Sequence, residues 1–423
     1  MRFDLRYGTV CLLALGLSSC AVGPNFHTPI LPPVKNFMEK PRPKTTQSTP
    51  SLNVAGNAQT FVAKDISADW LRVYRSKELD QLMNQALAHN QNLAAAYAAL
   101  RQAQANYNSQ LGATLFPLVT GNVGGQRQLS SSATTGGLVG SSLFNLYNAN
   151  VSVSYVLDVF GGERRQLEAL KAQIDYSQFQ LIAAYLTMTA NIATTAISVA
   201  SYEEQISATK DLIRFQSDDL TILKQQFQLG AISNISVMTQ QTLLEQTRAT
   251  LPPLEKNLSQ SRHALAVLVG QYPDAPLPAL HLDSFTLPED LPLTLPSQLT
   301  RQRPDVRASE ALLHAASAQI GVATANMFPQ ITLSGLYGWE ALSPSQLFKP
   351  ASNTWNYGGT LVQTLFQGGS LFFHRKAAVA AYDQALAQYR QTVLQGFQNT
   401  ADALRAVETD ARLLNATRKA ELA

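Results

Sequence analysis

The longest pattern in the chain is a seven-residue repeat of apolar positions. The stretch Glu163–Leu229 contains neither Gly nor Pro, and as one helix it would be about 100 Å long. Its apolar residues recur every seven positions, at Ile192, Val199, Ile206, Ile213, Leu220 and Phe227, with Tyr202 and Leu223 three places on. A strict seven-residue period predicts left-handed supercoiling of this helix against a partner.

A second helix with the same period follows and predicts an antiparallel hairpin. Its seam residues are Val237, Leu244, Leu251, Leu258 and Leu265. The turn is "LGAISNIS", so we expect the hairpin tip to comprise Leu229, Gly230, Ala231, Ile232, Ser233, Asn234, Ile235 and Ser236. Gly230 suits a helix stop with positive φ, and Pro252-Pro253 predicts a kink near Leu251.

Two landmarks recur in the same order, which indicates an internal duplication. A Phe-Pro pair returns 212 positions later, and a Phe before two glycines returns 206 positions later. The matched segments are Phe116-Pro117 with Phe328-Pro329, and Phe160-Gly161-Gly162 with Phe366-Gln367-Gly368-Gly369. An Ala- and Gln-rich helix precedes each Phe-Pro pair. We expect each Gly-Gly pair to be the turn at which a strand becomes a long helix.

After each Phe-Pro pair the period changes to two. In "ITLSGLYGW" Ile331, Leu333, Tyr337 and Trp339 share one face, and in "VSVSYVLDVF" Val151, Val153, Tyr155 and Leu157 alternate with polar residues. Such alternation is typical of an outer-membrane barrel strand, although a soluble hairpin with one buried face fits these strands equally well. Four strands per chain cannot close a barrel in lipid. Two chains would supply eight strands and three chains twelve.

The N-terminus has the pattern of an export signal. Arg2 and Arg6 precede the apolar run "VCLLALGL", which is too short to span a bilayer but fits a signal peptide. The following "LSSC" resembles a lipobox, which predicts cleavage before Cys20 and lipidation of its thiol; the alternative is an ordinary signal peptide that contains Cys20. From Pro24 to Pro50 seven prolines predict an extended arm.

Composition argues against several function classes. The net charge is only +3, with no basic stripe, so nucleic acid is not an expected partner. Both cysteines fall within the first 20 residues, and the six histidines show no paired spacing, so we expect no metal and no cofactor. No G-x-S-x-G or phosphate-binding loop occurs, and we therefore expect the protein not to be an enzyme.

The order of these parts resembles the outer membrane factors of tripartite efflux pumps, the TolC-like family, in its lipoprotein (RND-type, NodT-like) branch. The resemblance covers nearly the whole chain from Cys20 and is carried by the stretches "DWLRVYRSKELDQLMNQALAHNQNL", "LDVFGG", "QLGAISNISV", "LPSQLTRQRPDVRASEALLHAASAQIGVATANMFPQITLSG" and "LFQGGS". Within "RQRPDVR", Pro304 itself predicts a helix start, and Asp305 complements the helix dipole.

The resemblance implies a mainly α fold with a small transmembrane β part. A long antiparallel α-helical barrel would continue into a twelve-stranded β-barrel shared by a homotrimer. The chain would be the outer-membrane channel component of a tripartite pump, a passive conduit anchored to outer-membrane lipid and extending into the periplasm. Its partners would be an inner-membrane efflux transporter and a periplasmic adaptor (membrane fusion) protein, the latter at the hairpin tip. The sequence does not identify a substrate.

We divide the chain into five parts. These are a signal peptide (1–19), a lipid-anchored Pro-rich arm (20–65), a first repeat (66–275), a linker (276–300) and a second repeat (301–423). By the repeat, the helix from Ser370 should reach its tip near residue 436, so a missing return helix and weak or absent efflux are expected. The alternatives are a lipid-anchored periplasmic coiled-coil scaffold or adaptor without a pore, and a truncated non-functional efflux protein.

Overall fold

The computed structural model describes residues 21–30, 37, 43–49, 56–62, 70–131, 141–293 and 302–423. The α-helices in these ranges are α1 (Lys77–His89), α2 (Gln91–Leu115), α3 (Gly162–Gln228), α4 (Asn234–Leu268), α5 (Pro304–Ala325) and α6 (Ser370–Leu422). The strands are β1 (Thr60–Val62), β2 (Leu118–Ser130), β3 (Ser142–Leu157), β4 (Asp290–Pro292), β5 (Gln330–Ala341) and β6 (Asn353–Val362). Each repeat therefore has the order helix, strand, strand, long helix.

The long helix α3 has 67 residues. Its predicted range was Glu163–Leu229, so the absence of Gly and Pro located both ends within one residue. The helix α4 continues through Pro252 and Pro253 without a break. These prolines lack amide donors, but they do not end the helix.

A four-stranded antiparallel sheet has the strand order β2-β3-β5-β6. Each repeat supplies one hairpin, with Leu118 opposite Ser154 in the first and Gln330 opposite Val362 in the second. The hairpins join through β3 and β5, where Ser154 lies opposite Ser334. Among the described residues, no strand pairs with the outer edge of β2 or of β6.

The predicted seam is buried along most of the hairpin of α3 and α4. Leu220, Val237 and Leu244 form one buried cluster, against which Ile213, Leu223 and Ile232 pack. Ile192, Val199, Ile206 and Leu265 are also buried. Phe227, the last seam position before the tip, is instead exposed, because it lies where the two helices end.

A second buried core contains residues of α1, α3 and α4. Leu82, Ile192 and Leu265 are fully buried in it. Asn90 ties two of these helices to the start of α2, since its Oδ1 accepts from the Leu93 amide (2.9 Å) and its Nδ2 donates to the Leu268 carbonyl (2.7 Å). Leu280 is buried in the same core, so this part of the segment suggested as a linker is packed against the helices.

Contacts divide the chain into two compact units that do not follow the repeat boundaries. The first unit comprises the chain up to Ile30, Leu100–Ser177 and Ala308–Gln391. The second unit comprises Leu31–Ala99, Gln178–Arg307 and Thr392–Ala423. Both units contain sequence from both repeats. The four-stranded sheet belongs to the first unit, and the hairpin tip belongs to the second.

Candidate functional site

The structure places the two Gly-Gly pairs at the turns from strand to helix. Gly161 has φ 78° and precedes α3, while Gly368 and Gly369 have φ 58° and 79° and precede α6. Residues with a Cβ rarely adopt these values. A Cβ on Gly161 would also lie 2.6 Å from the Ala21 Cα, and one on Gly162 would lie 3.0 Å from the Ala325 Cβ. The first turn therefore needs glycine for close packing as well as for backbone conformation.

The sheet has one apolar face and one polar face. Residues directly opposite each other share a face, and the strand registers place the odd-numbered residues of all four strands on one side. That side carries Val119, Val123, Leu129, Leu143, Val151, Val153, Leu333, Tyr337, Trp355, Tyr357 and Leu361, all exposed. Exposed apolar side chains on a sheet of this length are typical of contact with lipid.

The opposite face carries the even-numbered residues, which are mostly Ser, Thr, Asn and Gln. Thr120 and Ser152 hydrogen bond through their hydroxyls at 2.6 Å, and the Asn122 Nδ2 donates to the Asn150 Oδ1 at 3.3 Å. Such a row of uncharged polar side chains suits a water-filled lumen. The alternation predicted from sequence therefore holds over most of the sheet, with exceptions that include Leu118, Val156 and Val362 on the polar face and Arg127 on the apolar face.

Aromatic side chains cluster at the end of the sheet next to the loops within each hairpin. Trp355 and Tyr357 stack at 5.7 Å, and Trp339 meets Tyr337 and Phe348 edge to face at 5.7 and 5.6 Å. At the opposite end, Phe160 and Phe328 come from two of the repeated landmarks. Aromatic residues at both ends of an apolar band match the girdles of outer-membrane barrels.

The N-terminal segment Ala21–Ile30, which we call the strap, packs on α3 and α5. The Val22 amide donates to the Phe160 carbonyl at 3.0 Å. Gly23 lies against Gly321, where a Cβ would come within 2.5 Å of the Gly321 Cα. Phe26 stacks on His314 with ring centroids 4.4 Å apart. The strap thus fixes the chain directly after position 20 beside the end of β3.

Arg165 holds the strap through a buried guanidinium group. Its Nε donates to the Val22 carbonyl (3.1 Å), its Nη2 to the Asn25 Oδ1 (2.8 Å) and its Nη1 to the Glu168 Oε2 (2.7 Å). Only 6% of the Arg165 side chain is exposed. Glu168 also contacts the His314 Nε2 at 2.9 Å. Burial raises the pKa of Glu168, but the hydrogen bonds from Arg165 and His314 outweigh burial and hold this pKa below its usual value.

Sequence reasoning missed this arrangement, although the sequence contained a sign of it. Arg164 and Arg165 lie in the first turn of α3, where positive charge opposes the helix dipole. Arg164 is compensated by Asp158, whose Oδ2 accepts from the Arg164 Nε (3.2 Å) and from its amide (3.0 Å). Asp158 Oδ1 accepts from the Glu163 amide at 3.1 Å, so Asp158 also caps the helix.

The hairpin tip is exposed, with one residue held by the seam. Gly230 has φ 75°, and two hydrogen bonds, Gly230 N to Phe227 O (2.9 Å) and Ala231 N to Gln226 O (2.9 Å), form a Schellman motif. Ile232 packs against the seam cluster. Leu229 and Ile235 are 85% and 77% exposed. The tip therefore presents apolar side chains on a rigid turn.

The "RQRPDVR" motif has the structural role expected of it. Pro304 is the first residue of α5, and Asp305 lies in its first turn. Arg303 makes a bidentate pair with Asp305, at 3.0 and 2.7 Å. Burial raises the pKa of Asp305, but this pair outweighs burial and lowers the pKa overall. The motif accordingly stabilises a helix start.

Two of the predictions from sequence concern lipidation at Cys20 and the absence of a metal site. Cys20 lies outside the described residues, directly before the strap. In the described ranges no group of three or more His, Cys, Asp or Glu side chains could hold a metal ion.

Comparisons with known proteins place these features in a family. The profile of the family "Outer membrane efflux protein" matches residues 82–271 and 295–422. The pyoverdine export outer membrane protein OpmQ of Pseudomonas aeruginosa is 30% identical, covering 82% of this chain and 73% of OpmQ. Nodulation protein T of Rhizobium leguminosarum bv. trifolii is 26% identical, covering 99% of this chain and 85% of that protein.

A solved structure gives the same result for the fold. The outer-membrane channel OprN superposes with a TM-score of 0.83 at 26% identity, covering 95% of this chain and 86% of OprN. The fold is thus mainly α with a small transmembrane β part. The chain belongs to the outer membrane efflux protein family and is an outer-membrane channel component of a tripartite efflux pump.

Proposed function

We propose that three copies of this chain form one channel whose lumen is lined by the polar face of the sheet. The protein then acts as a passive conduit for small molecules and not as an enzyme. The observation that carries this proposal is the two-faced sheet, whose outer strands β2 and β6 pair with no further strand in the described part of the chain. Unpaired strand edges in lipid cost several kcal/mol per backbone group, and three copies of four strands give the twelve-stranded closure implied by the family.

The strap supports a lipid anchor at Cys20. Ala21 lies against Gly161, where β3 turns into α3. A diacylated Cys20 would be one residue away from this point, at the end of the apolar face of the sheet. Its acyl chains would enter the periplasmic leaflet beside the barrel. Mass spectrometry of the N-terminal peptide should find acylated Cys20, and an unmodified N-terminus further along the chain would contradict the anchor.

The hairpin tip supports docking of a periplasmic adaptor that bridges to an inner-membrane transporter. The exposed Leu229 and Ile235 offer apolar contacts, and the small residues Gly230, Ala231 and Ser233 permit close approach of a partner backbone. A photo-cross-linking residue at Ile235 should capture the adaptor. One at the exposed Thr250, away from the tip on α4, should not, and equal capture at both positions would contradict docking at the tip.

The conduit is tested by comparing two neighbouring residues of β3. Asn150 lies on the polar face and Val151 on the apolar face. In intact cells, a charged, membrane-impermeant thiol reagent should label Asn150→Cys through the lumen and leave Val151→Cys unlabelled in lipid. The protein without an introduced cysteine gives the background from Cys20, whose thiol the proposed lipid would occupy. Labelling of Val151→Cys alone, or of neither variant, would contradict a water-filled lumen and favour a scaffold without a pore.

A further inference from the structure

The two open edges of the first unit each expose one phenylalanine of the repeated landmarks. Phe116, just before β2, is 68% exposed, and Phe366, just after β6, is 88% exposed. Their counterparts in the other repeat are Phe328 and Phe160. These two rings stack on each other, with centroids 4.7 Å apart and planes 18° from parallel.

The contact between Phe160 and Phe328 forms where the second strand of one repeat meets the first strand of the other. Leu157 at the end of β3 lies opposite Ile331 at the start of β5. Between two copies of the chain, β6 of one copy is equivalent to β3, because each is the second strand of its repeat. In the same way, β2 of the next copy is equivalent to β5, because each is the first strand of its repeat. The internal joint therefore serves as a template for the joint between copies.

We propose that Phe366 of one copy stacks on Phe116 of the next, and that β6 pairs with that copy's β2 with Thr360 opposite Asn122. This inference rests on the proposed homotrimer and specifies its joint. Ser154 and Ser334 are the observed opposed pair. Adding the landmark spacing of 206 residues to Ser154 gives Thr360, and subtracting the spacing of 212 residues from Ser334 gives Asn122. The barrel wall is incomplete without this contact.

The proposed register keeps the two faces of the sheet continuous. Thr360 and Asn122 both lie on the polar face, and the adjacent apolar residue Leu361 falls opposite Gly121. A slip of one residue would place Leu361 against the lumen-facing Asn122. Such slips exchange the faces of a whole strand.

Barrel closure gives a second check on the register. Asn122 lies opposite Asn150, which lies opposite Gly338, which lies opposite Thr354. In the proposed register Thr354 lies opposite Gln128 of the next copy. Following opposed residues across the four strands of one copy therefore shifts the position on β2 from 122 to 128, which is the shear contributed by that copy. For three copies this shear corresponds to a strand tilt of roughly 45°. Outer-membrane barrels have tilts near this value.

Disulfide formation tests the register directly. Opposed residues on antiparallel strands have Cα atoms close enough for a disulfide. Oxidation of the variant Asn122→Cys/Thr360→Cys should give covalent dimers and trimers on a denaturing gel. The matched controls Asn122→Cys/Gly358→Cys and Asn122→Cys/Val362→Cys are slipped by two residues on the same face and should link at least about tenfold more slowly. Faster linkage in either control would overturn the proposal.

Two further arms separate this inference from the homotrimer itself. Ser154→Cys/Ser334→Cys should form a disulfide within one chain and give no ladder. Formation of this intrachain disulfide shows that the oxidant reaches the sheet. An amine-reactive cross-linker applied to the unmodified protein reports the homotrimer independently. A cross-linked trimer without linkage of Asn122→Cys to Thr360→Cys would overturn the joint while leaving the homotrimer intact. Absence of any trimer would overturn both.

The aromatic pair is tested by its tolerance of substitution. If Phe366 stacks on Phe116, Phe366→Leu and Phe366→Ala should both reduce the trimer that survives mild detergent heating, because neither side chain can stack. If Phe366 only faced lipid, Phe366→Leu would preserve the trimer, and this result would overturn the pair. Phe116→Ala should add little to Phe366→Ala, since the two changes remove one contact.

Discussion

Arg165 shows how one buried charge can hold the N-terminus of a membrane protein in place. Its guanidinium group bonds the Val22 carbonyl, Asn25 and Glu168, so its charge and most of its donors are compensated. A guanidinium presents several donors in a fixed plane, so it can bond acceptors on the strap and on α3 at the same time. The guanidinium group therefore ties the strap to α3 at Val22 and Asn25.

Replacing Arg165 by Gln should release the strap while leaving the sheet intact. Hydrogen bonds of a charged group contribute about 1.5 to 3 kcal/mol each, so chymotrypsin should cut after Phe26 at least about tenfold faster. Limited proteolysis of the detergent-solubilised protein measures this rate. Arg164→Gln is the matched control, since Arg164 pairs with Asp158. Equal protection in both variants would show that Arg165 does not hold the strap.

The strap contact should weaken in acid through Glu168. Because the folded-state pKa of Glu168 is lowered, its contribution to stability is complete above the unfolded value of about 4.3 and is lost as pH falls through the folded pKa. The thermal midpoint should thus fall more between pH 7 and pH 3 in the wild type than in Glu168→Gln. Glu245→Gln, in an exposed pair with Arg248, should behave like wild type. Identical pH profiles for wild type and Glu168→Gln would contradict this assignment.

At the scale of elements, the sequence predicted the helices better than their surroundings. The range of α3 followed from the absence of Gly and Pro, and the buried seam followed from the period of seven. Strand alternation predicted two faces but left open whether the apolar face meets lipid or a core. The structure answers this at Val151 and Val153, which are exposed, while the buried cluster on that face is confined to Ala149 and Ala341 beside Leu347. No periodicity could have predicted the strap, because its contacts join residues about 140 positions apart on α3 and about 290 positions apart on α5.

Two helix-ending glycines should differ in their sensitivity to alanine. Gly230 and Gly270 both have positive φ, 75° and 81°, and alanine in this conformation costs about 1 kcal/mol. A Cβ on Gly230 meets nothing within 4 Å, whereas one on Gly270 would lie 2.3 Å from the His89 carbonyl oxygen. Gly270→Ala should therefore lower the unfolding midpoint clearly more than Gly230→Ala. An equal loss would mean that backbone strain alone determines the loss of stability at both positions.

At the scale of the whole molecule, the oligomer should be limited by closure of the sheet. Cross-linking in outer membranes should yield dimers and trimers and then stop, because the third copy pairs the last open edge. Size measurement of the detergent-solubilised protein provides the control for random collisions. A stable monomer that retains all four strands, or a ladder that extends past three, would contradict a shared barrel.

The register of the joint between copies shows the limit of sequence reasoning at this scale. The landmarks Phe116, Phe160, Phe328 and Phe366 were visible as a repeat. The contact that they form is visible only in the structure, where two of them stack on each other and two are exposed. A repeat predicts that a contact recurs, but it does not show which contact until one example has been seen.

The internal duplication also has a consequence for symmetry. A half-length chain with one hairpin would need six copies to complete twelve strands, and all six joints would have to be alike. Joining two halves in one polypeptide creates two kinds of joint that can diverge independently. The joint within the chain is where the strap packs, beside Phe160 and Phe328. Substitutions there alter a permanent contact, while the joint between copies remains free to be tuned for assembly.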